Sequence, residues 1–189
     1  MTKEEQLKEL YNTQNNNPKS VLIVDNNKRF VFGEGPAEAN IMIVGEAPGR
    51  EEDIQLRPFV GRAGQLLDKA LNLCGIDRSQ TYITNIIKAR PTNNRTPTFD
   101  EIIRCWPVLQ NQIDIIRPSI IITLGACAIT AFTKKPVSIT KQHGYAIPFE
   151  NSMVIPTFHP AFILRNASFH QPFVNDIKFA IDLLENIKK

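Results

Sequence analysis

Asn40-Ile41-Met42-Ile43-Val44, running directly into Gly45-Glu46-Ala47-Pro48-Gly49, is the stretch that decides the fold. Its apolar part is too short for a helix and is continuous where a half-exposed strand would alternate, which is how strands buried on both faces of a parallel sheet look. The part rich in glycine and proline is a loop that leads to a helical stretch, Ala63 to Cys74, and Gly75 ends that helix. The same unit recurs outward along the chain. Thr81 to Ile87 reads as a second strand, and Thr98-x-x-Glu101 supplies a capping box for a helix that ends near Ile116 and is kinked at Pro107. Ser119 to Leu124 is a third strand, Gly125 to Phe132 a short helix, and Met153 to Thr157 a fourth strand. A last helix begins near Pro172, with Phe173, Ile177, Ile181, Leu184 and Ile187 along one face. These units predict an α/β protein, a three-layer α/β/α sandwich around a four-stranded, mainly parallel sheet. Upstream, residues 1–30 are polar and include an Asn-rich stretch from Asn12 to Asn17; they read as a short opening helix within an adaptable lead-in.

A length of 189 residues suits one domain spanning 1–189. Hydrophobic residues at 42% and charged residues at 22% exclude a disordered, collagenous or coiled-coil chain. No stretch approaches the ~18 apolar residues of a membrane span, and the opening MTKEEQLKEL is too polar for a secretory signal, so a cytoplasmic protein without a membrane partner is expected. Cys74, Cys105 and Cys127 are far apart and form no Cys-x-x-Cys pair, so they read as reduced thiols with neither a disulfide framework nor a zinc site. The net charge of +3 is uneven: residues 1–85 carry 10 basic and 12 acidic side chains, residues 86–189 carry 12 and 7. An anionic partner would therefore meet the second half.

Ligands of open α/β sheets bind outside the carboxyl ends of the strands, so the residues just after each strand form one group. They are Gly45-Glu46-Ala47-Pro48-Gly49-Arg50-Glu51-Glu52-Asp53 with Phe59 beyond, then Asn85 leading to Lys88-Ala89-Arg90-Pro91, then Gly125-Ala126, then His159-Pro160-Ala161-Phe162-Ile163-Leu164-Arg165. Taken singly, each has a structural reading: Gly45 and Gly49 a tight turn, Glu51 to Asp53 a helix start, Phe59 core, Asn85 a turn cap, and His159, like His143 and His170, a satisfied histidine. The glycine spacing matches neither a dinucleotide fingerprint nor a P-loop. Taken together they converge on one crevice that suits a planar ligand. An aromatic offers a stacking face, an amide reads a base edge, and a histidine stabilises charge on a leaving group.

These residues resemble the family 4 uracil-DNA glycosylases of the uracil-DNA glycosylase superfamily. The likeness spans about Phe32 to Asn166 and is carried by Phe32-Gly33-Glu34-Gly35, Gly45-Glu46-Ala47-Pro48-Gly49, Arg57-Pro58-Phe59-Val60-Gly61-Arg62-Ala63-Gly64, Thr84-Asn85, Arg90-Pro91, Arg117-Pro118 and His159-Pro160-Ala161. The resemblance implies that Phe59 stacks on a flipped uracil and Asn85 bonds its pyrimidine edge. It implies that Glu52 lies beside C5, where it helps exclude the thymine methyl, and that His159 faces O2 and stabilises the departing anion. The resemblance implies no aspartate at the third position of the first motif, which here is Ala47, and this leaves Glu46 to organise or activate the attacking water. The segment after His159 resembles a loop that enters the minor groove, with Ile163 and Leu164 as wedges and Arg165 as a phosphate contact. Lys88, Arg90, Lys141 and Arg165 would supply salt-sensitive backbone binding.

The family ordinarily holds a [4Fe–4S] cluster through four cysteines, and here the pattern is broken. The amino-terminal pair is missing, Ala89 stands at the third position, and only Cys105 matches a ligand position. A cluster-free member with no metal or organic cofactor is expected. The resemblance implies a monomeric, monofunctional enzyme that excises uracil from DNA in base-excision repair. The alternatives are a non-catalytic DNA-binding homologue and a glycosylase for another deaminated base such as hypoxanthine. His143 is left without a role.

Overall fold

The computed structural model describes residues 1–187. Successive side chains of strand β1 (Ile41–Gly45) point to opposite sides of the sheet, so Met42 and Val44 enter one core while Ile41 and Ile43 enter the other. In β3 (Ile120–Leu124), Ile121 faces the first core and Ile120, Ile122 and Leu124 the second. Every residue of β1, of β2 (Thr81–Asn85) and of β3 is buried, which explains their continuous apolar runs. Each fully buried isoleucine of this kind contributes about 1.5–3 kcal/mol of transfer free energy.

The first core is closed by α1 (Lys3–Asn15), α4 (Phe99–Ile116) and α5 (Ala126–Thr133), the second by α3 (Arg62–Leu73) and α8 (His170–Ile187). Short helices α2 (Arg50–Gln55), α6 (Ile139–Gln142) and α7 (Pro160–Ile163) follow β1, α5 and the last strand. Sheet order is β2-β1-β3-β5-β4, where β4 is Ile147–Phe149 and β5 is Ser152–Thr157. All pairs are parallel except β4 with β5, a short hairpin.

The three-layer architecture agrees with the sequence reading, with one added strand. β4 has only three residues and contains Pro148, too short to show a period and acceptable only at an edge, where it lies. The Thr98–Glu101 capping box forms as expected, with bonds of 3.2 and 2.8 Å. Pro107 lies inside α4, which continues to Ile116 as one element. The carbonyl that Pro107 leaves without its helical donor belongs to Ile103, which is exposed to water.

Residues 1–30 are not a loose lead-in. Leu22, Val24 and Phe30 are fully part of the first core, and Leu7, Leu10 and Tyr11 of α1 pack against it. Past α1, the segment is fastened to the loop after β2 by Arg95, which bonds Asp25 at 2.8 Å and Glu101 at 2.6 Å. Hydrogen bonds from the Arg95 guanidinium hold both carboxyls at about 2, below their ordinary values of 3.8 and 4.5. Carboxyls depressed on folding stabilise the native state above their unfolded pKa and lose that contribution as pH falls through the folded value. Arg95→Met is therefore expected to lower the melting temperature at neutral pH and to flatten its acid dependence between about pH 5 and pH 2, as read by thermal melts across that window.

Candidate active site

The chain passes from β1 to β2 on one side and then crosses to β3 on the other, so the sheet reverses direction beside β1, the place where open α/β sheets bind ligands. A cleft of about 500 Å³ lies there, at the carboxyl ends of β1, β2 and β5. Its wall and floor are Glu46, Ala47, Pro48, Gly49, Glu52, Phe59, Asn85 and His159, and its rim includes Pro91, Asn94, Arg95, Thr96 and Arg165.

Asn85 ends β2 opposite Gly45 of β1 and is 1% exposed. Its Oδ1 is buried and has no hydrogen-bond partner. An unpaired buried acceptor is costly to maintain, so one on a residue that lines a cleft marks a place where a ligand N–H is expected. Gly45 has no substitute here: a Cβ would collide with Asn85 Oδ1 and with the ring of Phe59. Phe59 adopts φ 50°, a left-handed conformation uncommon for a bulky residue, and its ring lies 5.8 Å from that of His159.

His159 caps α7. Its Nδ1 accepts from the Ala161 amide at 3.1 Å, which leaves the ring hydrogen on Nε2. Burial pushes the imidazole down to about 4, assisted by the like charge of Arg165, so at neutral pH it is an uncharged donor. Glu46 follows β1 and is fixed by its own carbonyl, which accepts from the Ile87 amide at 3.0 Å. Burial raises its carboxyl above the ordinary 4.5, with the Cys127 thiol acting in the opposite direction. The cleft thus offers an acceptor, an aromatic face, a neutral imidazole donor and a carboxylate of raised basicity.

Of the sequence-predicted residues, Glu46, Ala47, Glu52, Phe59, Asn85, His159 and Arg165 come together in the cleft. Glu52 has a second task, because its Oε1 accepts from the amides of Val60 at 3.0 Å and Gly61 at 2.8 Å. Leu164 is 41% exposed beside the cleft residue Arg165. Arg90, bonded to Asn94 at 2.7 Å, adjoins the rim. Lys141 is exposed on α6 and does not line the cleft.

Two expectations are corrected. Lys88 is fully buried, and its ammonium donates to Thr84 Oγ1, to the Asn85 carbonyl and to Gln112 Oε1, at 2.5, 2.6 and 2.6 Å. All three of its donors are used inside the protein, so it does not reach a phosphate. Ile163 is 2% exposed and belongs to the second core, so it is no wedge. The sequence reading also missed Arg95, whose place on the rim comes from a loop without periodicity.

A family model described as the uracil DNA glycosylase superfamily matches residues 32–179. A type-4 uracil-DNA glycosylase of Thermotoga maritima is 47% identical over 166 residues, covering 87% of this chain and 82% of the relative. The chain belongs to the type-4 family of the uracil-DNA glycosylase superfamily. A second type-4 relative, from Saccharolobus solfataricus, is 44% identical over 160 residues, covering 80% of this chain and 74% of its own. The type-5 uracil-DNA glycosylase of Pyrobaculum aerophilum is 30% identical over 144 residues, covering 67% of this chain.

As a type-4 uracil-DNA glycosylase family member, the chain would be expected to offer four cluster ligands, and its donors do not fit a [4Fe–4S] group. Ala89 and Cys105 both lie in the first core, and the Cys105 thiol donates to the Val21 carbonyl at 3.3 Å. Cys74 bonds the Val174 carbonyl of α8 against the second core, and Cys127 lies beside Glu46, so each thiol has a different neighbour and all three are free. Among the described residues no three His, Cys, Asp or Glu side chains gather as a metal site.

Proposed function

We propose that the protein flips uracil out of DNA and hydrolyses its N-glycosidic bond, leaving an abasic site for base-excision repair. The observation that carries this reading is the orphaned Oδ1 of Asn85 at the floor of a cleft walled by an aromatic ring. Uracil N3–H supplies the missing donor, and O4 accepts from the Asn85 amide nitrogen. Cytosine presents a bare N3 acceptor to Oδ1 and an amino group to the amide nitrogen, so both contacts turn repulsive.

Phe59 stacks on the flipped base, and Glu52 stands beside its C5 side. His159 Nε2–H donates to O2 as the bond from C1′ to N1 breaks and the electron pair departs with uracil. Glu46 orients a water whose oxygen bonds to C1′ and takes up its proton. The deoxyribose passes through an oxocarbenium-like state, the proton taken by Glu46 returns through solvent to the uracil anion, and the products are free uracil and an abasic site. Incubation of the purified protein with a uracil-containing oligonucleotide, with free uracil measured chromatographically, tests the reading: stoichiometric uracil release supports it, and an intact base sinks it.

Leu164 fills the gap left by the flipped base, and Arg165 holds the neighbouring phosphate, with Arg90 and Lys141 as further backbone contacts. Leu164→Ala is expected to slow excision from duplex DNA by about tenfold and from single strands much less, because unstacking is required only in the duplex. The enzyme works as a monomer in the cytoplasm and without a cluster. Iron analysis of anaerobically purified protein is expected to give no stoichiometric iron, and about four irons per chain would overturn the cluster-free reading.

A further inference from the structure

Arg78 lies before β2 in a 3-10 turn (Arg78–Gln80), one-fifth exposed and outside the cleft. Its guanidinium has five N–H donors, and every one is engaged. Nε and Nη2 bond Glu34 Oε1 at 3.1 and 2.7 Å, Nη1 bonds Asp68 at 3.1 Å, and the remaining two bonds run to the carbonyls of Phe59 at 3.0 Å and Pro58 at 2.5 Å. On the other side of the same loop, Glu52 accepts from the amides of Val60 and Gly61. Side chains therefore hold four successive residues, 58–61, by their backbone groups. In their midst is Phe59, in a left-handed conformation that a bulky residue keeps only when its surroundings impose it. Glu34 is itself anchored to the sheet by reciprocal backbone bonds with Ile83, so the clamp is referenced to β2, the strand that carries Asn85.

We propose that Arg78 is a positioning residue for base stacking: it fixes the backbone of Phe59, and so the ring plane, relative to the Asn85 amide. This rests on the reading of Phe59 as the stacking residue. Arg78 touches no substrate; its effect passes through Phe59. A lysine reproduces its charge toward Glu34 and Asp68 but lacks the planar fork needed to span both carbonyls as well. Arg57 is the natural control, because it bonds Glu34 at 2.7 Å, is mostly exposed and contacts neither carbonyl.

The test is a double-mutant cycle of Arg78→Lys and Phe59→Ala, with Arg57→Met alongside, using single-stranded uracil-containing DNA and free uracil as a product inhibitor. Arg78→Lys is expected to lower kcat/KM and weaken inhibition by free uracil by about tenfold, within the range lost when a base–aromatic stack is removed. Combined with Phe59→Ala, it adds nothing further, since residues that act as one unit are non-additive. Arg57→Met leaves both quantities unchanged. Wild-type kinetics with Arg78→Lys, or a loss that adds in full to that of Phe59→Ala, overturns the proposal. Arg78→Met, whose melting temperature is recorded in parallel, gives the same readouts for a variant with no cation. Failure of the wild-type enzyme to release uracil would instead reject the functional reading beneath it.

Discussion

Glu46→Gln is expected to lower the rate of uracil release by ~10²–10⁴, the usual contribution of a positioned base, while KM and inhibition by free uracil stay within about twofold. Glutamine keeps the shape and a hydrogen-bond acceptor but cannot take the proton of the attacking water. The side chain lies at the wall of the cleft with its backbone held to the segment after β2, so the substitution leaves the base-binding surface in place. Burial raises the Glu46 carboxyl above 4.5, and in the proposed role only its ionised form would serve as base. Activity should therefore fall as pH drops through that raised value, with an acid limb nearer neutrality than an exposed glutamate would give. In Glu46→Gln that limb should vanish from the kcat profile. A kcat profile of the wild type with no acid limb above pH 4.5, or an unaltered limb in Glu46→Gln, would assign the base elsewhere.

His159→Ala is expected to reduce kcat by ~10²–10³, the loss typical of one donor aimed at developing negative charge. The donor is neutral, because burial holds the imidazole at about 4 and the Ala161 amide occupies Nδ1. A neutral imidazole is a weaker electrostatic partner than an imidazolium, but its Nε2–H is fixed in tautomer and present throughout the neutral range. His159 should consequently add no kinetic step in the ordinary histidine range near 6.5, and its ring should gain charge only as the pH is lowered toward 4. Single-turnover rates, which exclude product release, are the appropriate readout. His159→Ala that retains the full single-turnover rate would remove the leaving-group role from this residue.

The parts of this fold that were legible in the sequence are those in which local pattern and tertiary burial agree. β1, β2, β3 and β5 are short continuous apolar runs because both faces of the sheet are covered, and the Thr98 capping box announces α4 by itself. β4 was not legible, since three residues around Pro148 carry no period. The packing of residues 20–32 was hidden for a different reason: the apolar runs 21–24 and 30–32 are too short to carry a helical or strand period, and their burial is decided by α4 and the sheet. Among the site residues, Glu46, Phe59, Asn85 and His159 follow strand ends or a glycine loop, so topology gathers them.

Lys88 and Ile163 show the limit of the same logic. A lysine after a strand looks like a phosphate contact, but Thr84, the Asn85 carbonyl and Gln112 supply acceptors for its whole ammonium. Gln112 is 24 residues away, so no local pattern could reveal it. Likewise Ile163 and Leu164 are adjacent apolar residues, and only the direction of the short α7 sends the first into the core and leaves the second outside. Glu52 and Arg78 were partly or wholly missed as supports because they hold backbone atoms, whose demands leave no trace in residue type.

The most direct test of the central claim, that the orphaned Oδ1 of Asn85 awaits the N3–H of uracil, is base selectivity. Labelled oligonucleotides carrying one U, T, C or hypoxanthine, single- and double-stranded, are incubated with the wild-type protein and with Asn85→Ala, then cleaved with alkali and resolved on a denaturing gel. Cleavage at U alone by the wild type, with a loss of at least ~10²-fold in Asn85→Ala, is the predicted result. Cleavage at C or hypoxanthine as fast as at U, or at no base by folded protein that still binds DNA, would contradict it.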